Sequence, residues 1–459
     1  MEQRYSSRAA LRAIFLLAWP TVLEQALTTA VSYVDHAMVG VLGASASAAV
    51  GATATIHWLV NSSVAALGIG FLAYIARECG AKRFDNAARA SGQAVMAALV
   101  AGLGFTIPAL LCSGMIPGWM QAAESVRAEA GQYFFIVYTV MPFRAASIVF
   151  GTVLRATGDT KTPMRVNAGM NLLNVVLNFF LIYPSRDATL LGFTLRLPGA
   201  GLGVSGAAIA SAIAFCYGGV RMTLRLYQSP VASPRGMSLK PDWEVLTPCL
   251  RVALPAAMQR FITSFGYVAF SATINTLGLT ATAAHALANT AESAFYIPGY
   301  GMQAAAATLA GNANGEGDRD KMRKITRTLV VVEVAMMTLS GAALFLYAEG
   351  MMRLFTRDAA VIALGATVLR MVALSEPAYG VAVILEGVFQ GVGDTMHTFL
   401  YNIIGMWGIR ILGTFLCVRV LGYGLPAAWG CMIAHNLFLA FMLALRYRRG
   451  RWNPLNRTP

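Results

Sequence analysis

Six carboxylates fall inside long apolar stretches of this 459-residue chain: Glu24, Asp35, Glu292, Glu333, Glu376 and Glu386. If those stretches cross a bilayer, each acid costs roughly 2.5–3.5 kcal/mol near the centre and must face a cavity or a partner. Asn167, Asn171, Asn174 and Asn178 recur at spacings of four, three and four, which places them on one face of a helix. An Asp opposite such carboxamides binds a proton that the amides orient, or a hard cation through oxygens alone. The rival reading of the stripe is glue between helices, because carboxamides bond across helices in lipid. Asp35 is the leading acid for an ion site, in a helix interrupted by Pro20. Glu24 lies one turn after Pro20, Glu292 six residues before Pro298, and Glu376 immediately before Pro377. These three are expected to line a cavity that attracts cations, or else to pair with an intramembrane Arg such as Arg260 or Arg370. Glu333 lies in a span that otherwise reads as a lipid-facing support, and Glu386 reads as a helix-end residue.

The elements that must position these residues follow from composition. Hydrophobic residues make up 57% of the chain and charged residues 12%, with a mean hydropathy of +0.60. A soluble domain is about a quarter charged, so this is a polytopic membrane protein. Runs such as "VMAALVAGLGFTIPALLCSG" (95–114) and "TLVVVEVAMMTLSGAALFLY" (328–347) have the length a bilayer requires, about 20 residues. The N-terminal stretch has Arg8 and Arg12 before an apolar run, yet carries Glu24 and Asp35 and no small-residue cleavage site. It reads as a retained first span. The six cysteines show no CxxC and the histidines no H-x-x-x-H, so neither disulfides, a metal site nor a catalytic centre is expected.

Apolar runs place twelve helices near 11–35, 45–76, 90–112, 128–154, 164–183, 201–227, 247–276, 282–311, 326–347, 361–390, 396–418 and 425–446. With the N-terminus inside, 25 of the 35 Lys and Arg fall on the inner side and six on the outer side. The other four, Arg144, Arg260, Arg370 and Arg410, lie within spans. That bias places both termini in the cytoplasm. The net charge of +14 is thus a topology signal with anionic headgroups as its neighbours, not a nucleic-acid surface.

A shift of 235 residues superimposes the two halves. "RATGDTKTP" (155–163) falls on "QGVGDTMHT" (390–398), Pro20 on Pro255, Gly43 on Gly278, Gly80 on Gly315 and Pro142 on Pro377. One constant offset means a duplication. Six spans per half is an even number, so the repeats are parallel and related by an axis along the membrane normal. The expected fold is all-α, with two six-helix lobes. Its divisions are an N-terminal lobe (1–227), a cytoplasmic linker (228–246) and a C-terminal lobe (247–459). Both Gly-Asp-Thr triplets are expected to terminate the fourth span of their half and turn into the fifth. The acids are not duplicated: Asp35 falls on Phe270, Glu24 on Gln259, Glu292 on His57 and Glu376 on Met141.

"YVDHAMVGVLG" (33–43), "LRATGDTKTPM" (154–164), the asparagines of "NLLNVVLNFFLIY" (171–183) and "GLGVSGAAIA" (201–210) together resemble the multidrug and toxic compound extrusion (MATE) family. The likeness covers nearly the whole chain in order. It implies two six-helix lobes around a central cavity, in a secondary antiporter that exports small organic, often cationic, compounds in exchange for H⁺ or Na⁺; a monomer with no other cofactor is expected. It implies ion coupling at Asp35, Asn174 and Asn178. Two departures stand out. Some relatives carry an Asp where this chain has Asn178. Others carry a Glu in the seventh span and an Asp in the tenth, near Thr263 and Tyr379 here. A lipid-linked oligosaccharide flippase of related architecture is the alternative, although only four Arg lie within spans to meet a pyrophosphate. A membrane transferase lacks a loop of paired acids, and a channel fits the kinked, asymmetric spans less well than alternating access does. In a background freed of native cysteines, a cysteine near residue 190 should react with an impermeant thiol reagent added outside, and one near 235 should not. The opposite labelling pattern would invert the topology.

Overall fold

Ser6 accepts a bond from the Arg8 amide at 3.2 Å and opens the first helix, α1 (Ser7–Gly40). α2 (Ala44–Gly80), α3 (Phe84–Cys112), a single turn α4 (Ile116–Trp119), α5 (Glu124–Thr139), α6 (Met141–Ala156) and α7 (Lys161–Leu181) follow. A hairpin of β1 (Pro184–Leu190) and β2 (Phe193–Ala200) leads to α8 (Gly203–Tyr227). The second half contains α9 (Trp243–Asn275), α10 (Leu279–Glu316), α11 (Arg319–Phe355), α12 (Ala359–Ala373), α13 (Glu376–Val392), α14 (Thr395–Ile403), α15 (Leu412–Phe415) and α16 (Leu425–Arg449). The structure, a computed structural model, describes residues 6–120, 122–190 and 193–456. Arg4 and Arg457 lie outside the described residues, as do the side chains of Arg186 and Arg196.

Among the described residues, seven helices are long and apolar enough to cross a membrane, and nine spans result when two bent pairs each count as one. α7, α9 and α10 complete the two six-helix lobes. Their asparagines, Gln259, Arg260 and Glu292 lower the hydropathy that marks a span. Leu111, Leu339, Leu346 and Leu374 are each more than 70% exposed on the outer helix faces, as residues facing lipid chains must be.

The duplication is visible in the backbone. α5 bends into α6 by 53° just before Pro142, and α12 bends into α13 by 55° just before Pro377. Proline removes a helical donor and disfavours helix in the residue before it. Gly43 and Gly278 open α2 and α10 at φ +111° and +94°. Gly158 and Gly393 form the Gly-Asp-Thr turns at φ +91° and +85°, a region that side chains rarely enter. The lobes also meet in a repeated way, with α1 packed on α10 and its counterpart α9 packed on α2. At the basic end this contact is backbone-tight: a Cβ added at Gly80 would strike the Asn312 carbonyl, and one at Gly315 would strike the Arg77 carbonyl.

Three features differ from the sequence reading. Pro184–Leu190 and Phe193–Ala200 pair as an antiparallel hairpin between two of the expected helices, where no strand was expected. The eleventh span is not a plain helix, since Ile404–Ile411 and Leu416–Val420 are π-helical on either side of α15. Glu386, expected at a helix end, is bonded by Gln259 Nε2 at 2.5 Å and Gln303 Nε2 at 3.2 Å.

The two duplicated turns do different local work. Asp159 Oδ1 accepts the Thr162 amide at 3.0 Å and caps the start of α7. Asp394 instead takes Arg446 Nε at 2.5 Å and Nη2 at 2.9 Å, with His397 Nδ1 at 2.8 Å, and so anchors α16 to the turn. Both partners of the Asp394–Arg446 pair are largely buried, at 13% and 9% side-chain exposure. Asp394→Asn should therefore cost about 3–5 kcal/mol by stranding the arginine. Asp159→Asn should change stability little, because Asn caps as well as Asp. Thermal unfolding of the detergent-purified variants checks this order; equal midpoints would refute it.

Candidate functional site

The asparagine stripe of α7 lies against α1, and the register between the two is constant. Asn167 Nδ2 donates to Glu24 Oε1 at 2.5 Å, Asn171 Nδ2 to Thr28 Oγ1 at 3.4 Å, and Asn178 Nδ2 to Asp35 Oδ1 at 2.8 Å. Each pair is separated by 143 residues, so the helices run parallel and in step. Residues at i, i+4 and i+11 on one helix meet residues at the same intervals on the other.

A cavity of about 400 Å³ opens along this seam between α1, α2, α6, α7 and α8. Near its outer part, with the N-terminus taken as inside, Asp35 is enclosed by carboxamides. When the Asn174 amide is turned to satisfy both of its ends, its nitrogen lies 2.9 and 2.8 Å from the two Asp35 oxygens and its oxygen accepts from Ser211 Oγ at 3.2 Å. Asn174 and Asn178 are buried, at 7% and 2% exposure, and Asn178 Oδ1 has no protein partner. Asp35 itself remains reachable from the cavity. The arrangement holds a carboxylate by neutral donors, and among the described residues no salt bridge reaches it. An ion that arrives there changes the charge of the cavity.

The inner part is closed by an ion pair. Arg155 Nη1 lies 3.2 Å from both oxygens of Glu24, and Arg155 Nη2 donates to Thr152 Oγ1 at 3.2 Å. Glu24 therefore lines the cavity while paired with Arg155, not with Arg260 or Arg370. Sequence reasoning had assigned Arg155 to the cytoplasmic turn. The signal was available in Glu24 and Asp35 themselves, eleven residues apart, which matches Asn167 and Asn178.

Glu292 and Glu376 are not among the residues that line this cavity. They are buried in the C-terminal lobe, at 6% and 2% exposure, and Glu376 is an electrostatic neighbour of both Glu292 and the fully buried Glu333. Kinks at Pro298 and Pro377 suggested an open wall there, but close helix packing fills it. A Cβ at Gly299 would lie 2.7 Å from Glu333 Oε1, and one at Gly341 would lie 3.3 Å from the Glu376 Cβ. Tyr379 shares a hydrogen bond of 3.1 Å with the Tyr300 hydroxyl.

The MatE family model matches residues 20–180 and 255–416, one copy per lobe. A probable multidrug resistance protein NorM of Thermotoga maritima is 25% identical over 441 residues, 96% of this chain and 93% of that protein. Multidrug resistance protein MdtK of Edwardsiella ictaluri is 26% identical over 461 residues, 97% of this chain and 96% of that protein. Among solved structures, MATE in the straight conformation superposes with a TM-score of 0.88 at 22% identity, covering 100% of both chains. The outward-facing conformation of a multidrug resistance MATE family transporter of the MOP superfamily gives 0.88, covering 98% of this chain and 97% of that one. With both copies of the family model in place and the two-lobe fold shared throughout, the chain belongs to the MATE family of membrane transporters.

Proposed function

We propose that this transporter is a secondary antiporter that exports small organic compounds, cationic ones among them, against entry of H⁺ or Na⁺. The observation that carries the reading is Asp35 in the cavity wall, bonded by Asn178 and Asn174 and paired with no cation. Such a carboxylate accepts a proton, a hard cation or a substrate amine, and only one of them at a time. Occupancy by the ion therefore opposes occupancy by a cationic substrate, which is the competition that exchange requires. The names of the relatives, multidrug resistance proteins, agree with drug-like substrates.

The basic end of the molecule is taken as cytoplasmic. The close Gly80 and Gly315 crossings there support reading this conformation as the one that receives the ion from outside and releases substrate. Coupling needs differential stabilisation of the two access states, because a ligand that binds both equally shifts nothing. The α1–α7 seam supplies the difference. An ionised Asp35 holds both amides, whereas a proton or cation on its oxygens competes with those bonds and loosens the outer part of α1. Pro20, inside the same helix, supplies a weak point about which that part moves.

Asp35→Asn preserves the size of the side chain and fixes it in a neutral form. The purified variant should fold normally, yet gradient-driven export in proteoliposomes should drop to the background of empty liposomes. Imposing the pH and Na⁺ gradients separately identifies the coupling ion. Wild-type export by Asp35→Asn would remove Asp35 from the coupling step and direct attention to Glu376 and Glu292.

A further inference from the structure

The cavity that holds Asp35 also holds an arginine that no carboxylate among the described residues neutralises. Arg144 lies in α6 and lines the cavity, with its guanidinium carbon 4.4 Å from the Phe215 ring centre. Its Nε donates to Asn61 Oδ1 at 3.3 Å, and Nη1 approaches the Met170 sulfur at 3.9 Å. Among the described residues no carboxylate pairs with it. A guanidinium carries five N–H donors in a planar fork, and these two contacts leave most of them unused. A cation at this depth is costly unless it meets a partner or a wet cavity, and Arg144 turns its remaining donors to the cavity, where an acceptor can reach them.

The position of Arg144 relative to Asp35 is also informative. Glu24 and Arg155 form the neutral pair at the inner part of the cavity. Asp35 lies eleven residues outward from Glu24 on α1, and Arg144 lies eleven residues outward from Arg155 on α6. Eleven residues is close to three helical turns, which keeps the face and advances about 16 Å. Pro20 and Pro142 both fall outside these intervals, so neither step is interrupted. Asp35 and Arg144 thus face the cavity from different helices at one level, as an unpaired anion and an unpaired cation. Arg144 is not part of the duplicated scaffold: its counterpart in the second lobe is Tyr379.

We propose that the cavity recognises amphoteric organic molecules, holding an amine at Asp35 and a carboxylate at Arg144, with the aromatic body of the ligand beside Phe215. The planar fork matches a carboxylate in two-point fashion, and the Phe215 ring against its face restricts how it can turn. This subsite rests on the exporter reading for its biological use, but equilibrium binding tests it without any transport.

The probes are a xanthene dye that carries amines and a free carboxylate, and the same dye as its methyl ester, which retains only the cationic part. Fluorescence anisotropy with the detergent-purified full chain should show tighter binding of the carboxylate dye. Arg144→Gln should weaken that dye about tenfold to a hundredfold, the worth of one charge-assisted bond, and leave the ester within about twofold. Asp35→Asn should weaken both dyes together. Equal affinity of the wild-type protein for the two dyes overturns the proposal, whether or not the Arg144 variant folds. So does a folded Arg144→Gln that loses both dyes equally or neither. Gradient-driven export of the ester without a preference for the carboxylate dye would remove the Arg144 subsite and leave the exporter standing. A carboxylate preference with no export of either dye would do the reverse.

Discussion

A charged group at bilayer depth must have a partner or a wet cavity, and this constraint decides how α1 lies on α7. Glu24 and Asp35 cannot both find carboxamides unless the two helices keep a single register. A slide of one turn would take Asp35 away from Asn178 and Glu24 away from Asn167 together. The acids are therefore both the chemistry of the cavity and the lock that holds its wall. That dual use explains why the choice between glue and ion site has no single answer for the asparagine stripe. Asn167 and Asn171 reach α1 on the side of the Glu24 pair, while Asn174 and Asn178 gather around a carboxylate with no counter-ion.

Duplication preserved the backbone and not the charges. Proline bends of 53° and 55°, and glycine openings of the same hand, recur at the 235-residue offset because helix geometry demands the same residue types twice. The polar side chains are under no such demand. Gln259 stands where Glu24 has its counterpart and bonds Glu386, so the second lobe places its acid on α13 and its amide on α9. The first lobe places the acid on α1 and the base on α6. The first lobe keeps a cavity around its charges, while the second packs glycines against its own, as the Gly299 and Gly380 contacts with Glu333 show.

This division also explains what was legible in the sequence. Periodicity and charge bias concern every residue of a span, so twelve spans and two lobes could be read directly. The cavity residues Glu24, Asp35, Asn174 and Asn178 were legible because polar atoms stand out in apolar runs. Their partners were less so. Arg155 sits at a helix end, where an arginine is ordinary, and Arg446 lies in a run of terminal basic residues, so neither announced its long-range acid. The placement of Glu292 and Glu376 needed knowledge of which helices close on each other. Proline marks where a helix bends but not what fills the bend. The π-helical turns of the eleventh span leave no distinctive residue pattern, since their apolar content serves several helical conformations equally.

The same bonds that hold the cavity also reach the other lobe. Thr21, one turn before Glu24, donates to the Gly301 carbonyl of α10 at 2.8 Å, and a Cβ at Gly301 would come within 2.6 Å of the Val22 backbone. Arg155, the partner of Glu24, accepts from Thr308 Oγ1 of α10 through its own carbonyl at 3.2 Å. α10 is therefore gripped from two sides by the residues that flank the inner ion pair. An opening at the basic end must separate α10 from both Thr21 and Arg155, and so must act on the two helices that carry Glu24 and its arginine. Cavity and seal share these residues. The inner ion pair is thus one or two side chains away from the lobe contact, through the Thr21 and Arg155 bonds to α10.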